Sequence, residues 1–158
     1  MDIRIRPASR PDLPPVTQMT EERRVQYQEY QPVFWRKAAD SEALASDFMA
    51  EQLSREDLLF LVAEQRERIL GFLVATEISA PPVYDPHGPT YHVDDFCVQS
   101  PDLWSTVGKA LLDHARDMLR ERGVAQIVVV CGDLDLPKAE MLRRERLTIA
   151  SNWWTQPL

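Results

Sequence analysis

The amino-acid sequence predicts a mixed α/β (α+β) fold in which a central sheet is flanked by helices. Short apolar runs rich in β-branched residues recur along the chain, and between them lie longer segments whose apolar residues repeat at helical spacing. Strands and helices in this arrangement build one layered unit. Because the chain has 158 residues and a mass of 18.2 kDa, we expect a single domain over residues 1–158.

The composition is that of an acidic globular protein. Its hydrophobic fraction is 44%, its charged fraction is 27% and its net charge is −7. This charge repels phosphate backbones and anionic lipids, so neither nucleic acid nor a membrane is expected as a partner. It is compatible with cationic acceptors such as amines. No apolar run approaches the length of a membrane span and no signal peptide is recognisable, so we expect a cytoplasmic protein.

The N-terminal third predicts a strand followed by two helices. Ile3 and Ile5 alternate with arginines before Pro7, as in a short half-buried strand. A first helix begins near residues 9–12, and a second runs from about 40 to 54. The connection between them is rich in aromatic residues, which we interpret as a packed helix–loop corner; the alternative is an aromatic wall that binds a cationic acceptor. These residues are Tyr27, Tyr30, Phe34 and Trp35.

The middle of the chain predicts an antiparallel hairpin. Residues 58–63 and 69–78 are apolar runs joined by the polar segment 64–68. Gly71 lies inside the second run, which indicates a bulge or the close approach of another part of the backbone. The proline-rich stretch 80–89 then predicts a surface loop.

A strand, a loop and a long helix follow. The strand 91–98 carries two adjacent carboxylates, Asp94 and Asp95, in otherwise apolar company. The loop 99–108 leads into an amphipathic helix that ends at Gly123, a typical C-terminal cap. Unpaired N–H groups and the helix dipole converge at such a helix start, so the loop predicts an anion-binding site.

The C-terminal part predicts two more strands and a short helix. Residues 126–131 have the apolar, β-branched character of a buried parallel strand, and residues 138–145 form a helix after a turn. Residues 147–156 predict one long strand or a tight hairpin. Trp153 and Trp154 would then point to opposite faces, so we expect a homodimer in which the partner covers one of them; cover by a neighbouring loop is the alternative.

The two cysteines, Cys97 and Cys131, both lie in apolar, strand-like runs. They form no short-spaced pair, so the sequence predicts neither a zinc site nor a disulfide framework. We interpret both as small buried hydrophobic residues, and we expect no metal site.

Two segments of the chain resemble the GNAT superfamily of acyl-CoA-dependent N-acyltransferases. The strand at 94–98 resembles the Glu-Asp-hydrophobic strand of the polyamine acetyltransferases, and 107–112 resembles the family's helix start. The resemblance implies a GNAT-like domain over residues 1–158, with a mostly antiparallel sheet, a splayed parallel strand pair at the cofactor site, and acetyl-CoA as the acyl-donor cosubstrate. The residues that carry it are Asp94, Asp95, Phe96 and Val98 in the strand, and Val107, Gly108, Lys109, Ala110, Leu111 and Leu112 in the helix.

In that family the loop before the helix binds the coenzyme A pyrophosphate, and its motif falls here on Leu103, Thr106 and Gly108. Only Gly108 matches the motif, and we expect it to keep the backbone open to the phosphate. Thr106 replaces a glycine, so we expect modified or weakened phosphate binding. The pantetheine arm is expected to pair with the backbone of Phe96 and Val98. The complete expected cofactor site is Phe96, Cys97, Val98, Leu103, Trp104, Ser105, Thr106, Val107, Gly108, Lys109 and Asp135.

The resemblance also implies direct transfer to an amine, which needs a general base. Asp94 occupies the position of the family's glutamate and is the first candidate. Asp95 is the second, because strand alternation sends the two side chains to opposite faces. The alternative is that one aspartate pairs with an arginine. Leu142 stands where the family places a tyrosine that protonates the leaving thiolate, so Tyr91, His92 or water would have to replace it.

The implied function is an acetyl-CoA-dependent N-acetyltransferase that acts on a small amine or an amino-terminal group. The alternative is a non-catalytic protein of the same fold that binds acyl-CoA, or that serves as a sensor or interaction domain. The paired aspartates favour the enzyme, whereas the altered loop and Leu142 favour the alternative.

Overall fold

The structure of the protein is a computed structural model that describes residues 2–158. Five strands form one sheet in the order β1-β2-β3-β4-β5. The first four strands pair antiparallel, and the last pair is parallel. This mixed, mostly antiparallel sheet confirms the predicted fold class. The strands are β1 (Arg4–Pro7), β2 (Leu59–Gln65), β3 (Arg68–Ile78), β4 (Thr90–Val98) and β5 (Gln126–Val129).

Helices cover both faces of the sheet. On one face, Val16, Met19 and Met49 from the first two helices pack against the sheet. On the other face, the third and fourth helices bury residues such as Leu111 and Met141 against it. Within residues 2–158 no helix is both long and apolar enough to cross a membrane. The helices are α1 (Leu13–Tyr30), α2 (Ser41–Leu53), α3 (Val107–Glu121) and α4 (Leu136–Arg144).

Gly71 is the point of close approach that its position in a strand predicted. A Cβ atom added there would lie 2.8 Å from the carbonyl oxygen of Cys97 and 3.0 Å from the side chain of Val107. Both distances are too short for a side chain, so this glycine lets β3 pass directly beneath the first turn of α3. It therefore fixes the height of the α3 N-terminus above the sheet.

A β-bulge interrupts β4 at the two aspartates. Leu73 pairs with Phe96, whereas Ala75 pairs with Val93, so Asp94 and Asp95 together lie opposite a single residue of β3. As a result, Val93 and Phe96 both join the core beneath α3, although they are three residues apart. The assumption of regular alternation for the two aspartates was therefore wrong, because the bulge shifts the phase of the strand between them.

The expected strand or hairpin at 147–156 is absent from the described structure. Arg146 adopts a left-handed φ of 64° after α4, and Leu147 donates its N–H to Leu142, which closes the helix. The chain then runs on without a ladder partner, and the Trp153 ring approaches the ring of Phe34, 6.0 Å between centroids, beyond α1. Because a strand needs a neighbour for its peptide groups, the alternating pattern alone was not sufficient.

Candidate functional site

The β4–β5 pair separates beyond Val93. The parallel ladder joins 90–93 to 126–129 and ends with a hydrogen bond of 3.0 Å from the Val130 N–H to the Val93 carbonyl. On the other edge of β4, the Gln99 N–H donates to Leu70 at 2.8 Å. In an antiparallel ladder the bonded residues alternate, so the peptide groups of Phe96 and Val98 point away from β3. They form an edge along which an extended ligand can pair, and the family resemblance implies pairing at these two residues.

A cleft of about 330 Å³ lies beside this edge. Met19 and Arg23 of α1 form one side, and Cys97 and Val98 form the end of β4. The remaining wall comes from the loop after β4 and the start of α4, and it includes Trp104, Asp135 and Pro137. The predicted cofactor residues Cys97, Val98, Trp104 and Asp135 are thus brought together.

The loop after β4 places polar groups at the start of α3. It forms a 3-10 turn over Pro101–Ser105, in which Leu103 is half-buried and the hydroxyls of Ser105 and Thr106 are exposed. The Thr106 N–H is already used, since it donates to Leu103 at 3.2 Å. Within residues 2–158 no acceptor binds the N–H groups that open α3, those of Val107, Gly108 and Lys109. These groups and the helix dipole suit an anion.

Gly108 has a packing role that the sequence did not predict. A Cβ at this position would lie 2.5 Å from the indole of Trp104, so the glycine is required by the packing of that ring. Trp104 in turn meets the ring of Phe96 edge-on, with 4.9 Å between centroids. The Cα of Gly108 is buried beneath the tryptophan while its N–H has no acceptor within residues 2–158, so its expected role at a phosphate stays a prediction.

The two aspartates of the bulge differ in their partners. Asp95 is buried and forms an ion pair of 2.8 Å with Arg23, which also donates to the Asp94 carbonyl at 3.2 Å. Arg23 lies 5.4 Å from the centre of the Tyr27 ring. Asp94 is exposed, and its carboxylate has no hydrogen-bond or ionic partner in the part of the chain that the structure describes. The alternative that one aspartate pairs with an arginine therefore holds for Asp95.

Asp135 connects α1 to α4. Its Oδ2 accepts a hydrogen bond of 2.7 Å from the Tyr27 hydroxyl, and its Oδ1 accepts one of 3.4 Å from the backbone of Lys138, so it caps α4. The N–H of Gly132 donates to the same tyrosine hydroxyl at 3.2 Å. Burial beside this carboxylate raises the pKa of Tyr27 well above its ordinary value. Tyr27 also packs edge-on against Trp35, as expected for a helix–loop corner.

Lys138 is the residue that sequence reasoning missed. Its side chain is completely buried, and its Nζ donates to the Phe96 carbonyl at 3.1 Å. The same nitrogen lies 5.1 Å from the centre of the Phe96 ring and 5.2 Å from that of Trp104. Burial, assisted by the positive charge of Arg23, lowers the pKa of Lys138 to about 8. A sequence signal existed: Lys138, Met141 and Leu142 share the buried face of α4.

The residues proposed to replace the family tyrosine do not line the cleft. Tyr91 lies where β4 and β5 still pair, and its hydroxyl donates to the Asp57 carbonyl at 3.4 Å. His92, its neighbour, pairs with Val128 in the same ladder. Leu142 is buried in the core beneath α3. Tyr91, His92 and Leu142 are therefore not among the residues that line the cleft.

The cysteines are free thiols in apolar surroundings. Cys97 is buried and Cys131 is half-buried. Burial raises the pKa of both thiols, that of Cys131 to about 11, which keeps them protonated and unreactive near neutral pH. Among the described residues no cluster of side chains could hold a metal ion.

Comparison with protein-family models gives one match. A model described as the acetyltransferase (GNAT) family matches residues 17–144, which is most of the chain and includes most of α1, the bulged strand, the loop and α4. No curated protein matches the chain by sequence at a significant level.

Solved structures share the whole fold at low sequence identity. A variant of a Bacillus halodurans protein superposes with a TM-score of 0.84 at 17% identity, covering 100% of this chain and 99% of that one. A predicted acetyltransferase from Clostridium acetobutylicum, solved with acetyl-CoA, gives 0.74 at 15% identity, with coverages of 99% and 96%. An aminoglycoside acetyltransferase from an uncultured soil sample, in complex with sisomicin, gives 0.63 at 17%, with coverages of 98% and 97%.

The residues at the cleft suit the acyl donor of that family. An extended arm bearing amide groups matches the open edge at Phe96 and Val98, and a diphosphate matches the unbonded N–H groups at the start of α3. Arg23, which lines the cleft, leaves its buried Nε without an acceptor within residues 2–158. The chain belongs to the acetyltransferase (GNAT) family, whose acyl donor is acetyl-CoA.

Proposed function

We propose that this protein transfers the acetyl group of acetyl-CoA to the nitrogen of a small amine or of an amino-terminal group. The observation that carries the proposal is the difference in pairing between the two aspartates of the bulge. Arg23 neutralises Asp95 and holds the Asp94 peptide, and it leaves the Asp94 carboxylate exposed and unpaired within residues 2–158. The unpaired carboxylate lies on the bulge whose backbone is held by the cleft residue Arg23, and a carboxylate so placed can serve an ammonium acceptor as its proton acceptor.

In this mechanism each element of the site has one task. Acetyl-CoA supplies an acetyl group activated as a thioester. The open edge of β4 at Val98 orients the donor, and the N–H groups that begin α3 bind its diphosphate. Arg23 fixes the bulge so that Asp94 accepts the proton lost by the acceptor nitrogen, directly or through a water. The C–N bond forms as the thioester C–S bond breaks, and the coenzyme A thiolate takes its proton from water.

The charges at the mouth of the cleft favour a cationic acceptor. Glu22 and Glu29 of α1 line the cleft and are both exposed. Together with the net charge of −7, they create a negative field that attracts an ammonium group. The aminoglycoside acetyltransferase that shares this fold was solved in complex with sisomicin, which supports testing amines first.

The test is release of free thiol from acetyl-CoA across a panel of amines, with Asp94→Asn as the diagnostic variant. We expect Asp94→Asn to lower kcat by on the order of 10²–10⁴-fold while the dissociation constant of acetyl-CoA stays unchanged, because the substitution removes a base and not a donor contact. Asp95→Asn serves as the matched control, and its effect is expected mainly on stability. If Asp95→Asn abolishes turnover while Asp94→Asn leaves it intact, the roles of the two residues are reversed.

A second candidate function is a non-catalytic acyl-CoA sensor. The observation that favours it is Leu142, which fills the core where the family tyrosine would protonate the leaving thiolate. A sensor binds acetyl-CoA but releases no thiol above the rate of hydrolysis with any amine of the panel. Thermal stabilisation by acetyl-CoA without turnover would therefore favour this candidate.

We also propose that the protein is a homodimer. Trp153 and Trp154 are 83% and 91% exposed, and large aromatic side chains this exposed are characteristic of association surfaces. Light scattering at micromolar concentration tests this, and a monomeric mass there contradicts it.

A further inference from the structure

Lys138 carries a buried positive charge that, within residues 2–158, no carboxylate contacts directly. Its side chain has no exposed surface, and within residues 2–158 no acidic oxygen lies within 4.0 Å of its Nζ. Its direct stabilising contacts are the hydrogen bond to the Phe96 carbonyl and the rings of Phe96 and Trp104, and the negative charge of Asp135 acts on it from beyond contact distance. A buried cation without a directly paired carboxylate is costly, and burial outweighs the influence of Asp135, so the fold favours loss of this proton.

The ammonium also occupies a functional position. The carbonyl of Phe96 faces the edge that β5 has left, one pairing position before Val98. A ligand that extends along a strand edge bonds to alternate residues, so Phe96 and Val98 are its successive partners. Trp104, Cys97 and Pro137 line the cleft and surround the lysine, which therefore lies directly behind the cleft wall.

We propose that Lys138 sets the affinity of the protein for the acyl donor, because its ammonium holds the Phe96 carbonyl and must release a proton when an amide-bearing donor binds along this edge. The inference rests on the proposed function only in taking acetyl-CoA as the donor. It gives a role to Lys138 of α4, a residue that belongs neither to the strand edge nor to the phosphate loop.

The surroundings of Lys138 set the direction of the pH dependence. The groups that face it are Arg23 on α1, Cys97 on β4, and Cys131 and Asp135 before α4. Burial is the largest influence, and with Arg23 it lowers the pKa of the ammonium to about 8. A bound donor displaces water from the cleft in front of the cation and competes for the Phe96 carbonyl, its acceptor within residues 2–158, so the complex binds fewer protons than the free protein. Affinity for acetyl-CoA must therefore rise with pH until the lysine is neutral.

The decisive measurement is calorimetric titration of the wild-type protein with acetyl-CoA in two buffers of different ionisation enthalpy, from pH 7 to pH 9. At pH 8 about half of the Lys138 side chains carry a proton, so we expect release of about half a proton per site. Affinity should increase by up to about tenfold from pH 7 to well above pH 8 and then level off. Release of no protons from the wild-type protein overturns the inference, and this result needs no variant.

Two substitutions sharpen the test. Lys138→Met keeps a similar length without charge, and we expect it to bind acetyl-CoA about tenfold more tightly than the wild type at pH 7, with no proton release. Lys138→Arg keeps its charge at every pH, so it should bind more weakly than the wild type at pH 9. Equal, pH-independent affinity of all three proteins overturns this inference alone. Absence of acetyl-CoA binding by wild type and Lys138→Met at millimolar concentration overturns the proposed function with it.

Discussion

Two arginines of this protein join distant segments, and they differ in how completely they are bonded. Arg6 of β1 donates to both oxygens of Asp12, at 2.7 and 2.8 Å, and to Glu64 of β2 at 2.5 Å. Asp12 also accepts hydrogen bonds from the backbone and hydroxyl of Ser9. Hydrogen bonding by Arg6 lowers the pKa of Asp12, so this cluster is ionised and closed at neutral pH.

Arg23 is the incompletely bonded counterpart. It makes one ion pair with Asp95 and one hydrogen bond to the Asp94 carbonyl, and within residues 2–158 its buried Nε has no acceptor. We call the Arg6 cluster closed, because its donors are bonded within the protein and none is left for a ligand. We call the Arg23 cluster open, because it keeps an unbonded donor and therefore contributes less to stability. The comparison indicates that Arg6 holds the fold together and that Arg23 serves the cleft.

The largest expected effect comes from breaking the closed cluster. Arg6→Met leaves two carboxylates side by side without their cation, and we expect it to lower the free energy of unfolding by about 3 kcal/mol. Acetyl-CoA affinity should not change, because Arg6 lies at the far edge of the sheet. Urea denaturation and calorimetric titration measure the two quantities. A clear loss of affinity in a folded Arg6→Met protein contradicts the division between the clusters.

Glu21, two residues before Arg23, extends the comparison to acid stability. Burial acts to raise its pKa, but hydrogen bonds from Lys37, Ser41 and Arg24 outweigh burial and lower the pKa to about 2. The unfolded chain therefore binds this proton at higher pH than the native protein does. The corresponding stability, on the order of 3 kcal/mol, is complete above about pH 4.5 and is lost as the pH falls toward 2.

The measurement is urea denaturation at a series of pH values between 7 and 2.5. Glu21→Gln should lack this part of the acid dependence, and Ser41→Ala should lose only the share of one hydrogen bond, because the ion pairs with Lys37 and Arg24 remain. An acid profile of Glu21→Gln that superposes on that of the wild type rules out this role for the carboxylate.

A smaller effect is expected from a conservative change in the open cluster. Arg23→Lys keeps the charge opposite Asp95 but loses the fork that also holds the Asp94 peptide, so we expect about 1 kcal/mol lower stability. Turnover should fall by a larger factor than stability suggests, because the bulge that presents Asp94 loosens. The matched control is Arg6→Lys, which loses more stability and no turnover when compared under conditions where both proteins are folded.

The smallest effect concerns the loop outside both clusters. Thr106 has a φ of −119°, which any residue adopts, and its N–H is bonded to Leu103. Thr106→Gly should therefore lower stability by about 0.5–1 kcal/mol through added chain entropy, without tightening acetyl-CoA binding. Titration with acetyl-CoA and denaturation without it separate the two quantities. A tenfold gain in affinity would show that the loop rearranges around the phosphate.

Local periodicity was enough to predict the sheet and its helices. The alternation in β1, the hairpin of β2 and β3, and the strand–loop–helix that follows all depend on residues close in sequence, and the structure contains each of them. The same reasoning failed at 147–156, because whether a strand forms there depends on a partner elsewhere in the fold.

The candidate site was only partly predictable, because several of its contacts join residues that are far apart in the sequence. Asp94 and Asp95 stood out, since two carboxylates in an apolar strand need an explanation. Their difference in pairing depends on Arg23, which lies 72 positions away from Asp95 and reads as an ordinary charge on a helix surface. Lys138 could have been noticed on the buried face of α4, but its acceptor, the carbonyl of Phe96, is a backbone atom that leaves no trace in the sequence.

The positions of the tryptophans allow changes at the cleft wall to be followed by tryptophan fluorescence. Trp104 is 6% exposed and lies 5.2 Å from the Lys138 ammonium, a neighbour that can quench its emission, whereas Trp153 and Trp154 emit from nearly full contact with water. Replacing the two exposed indoles by phenylalanine removes the long-wavelength background and leaves the half-buried Trp35 and the buried Trp104 as fluorophores. A change in protonation of the lysine then becomes a change in brightness that is read continuously, in the unlabelled protein, while the donor is added.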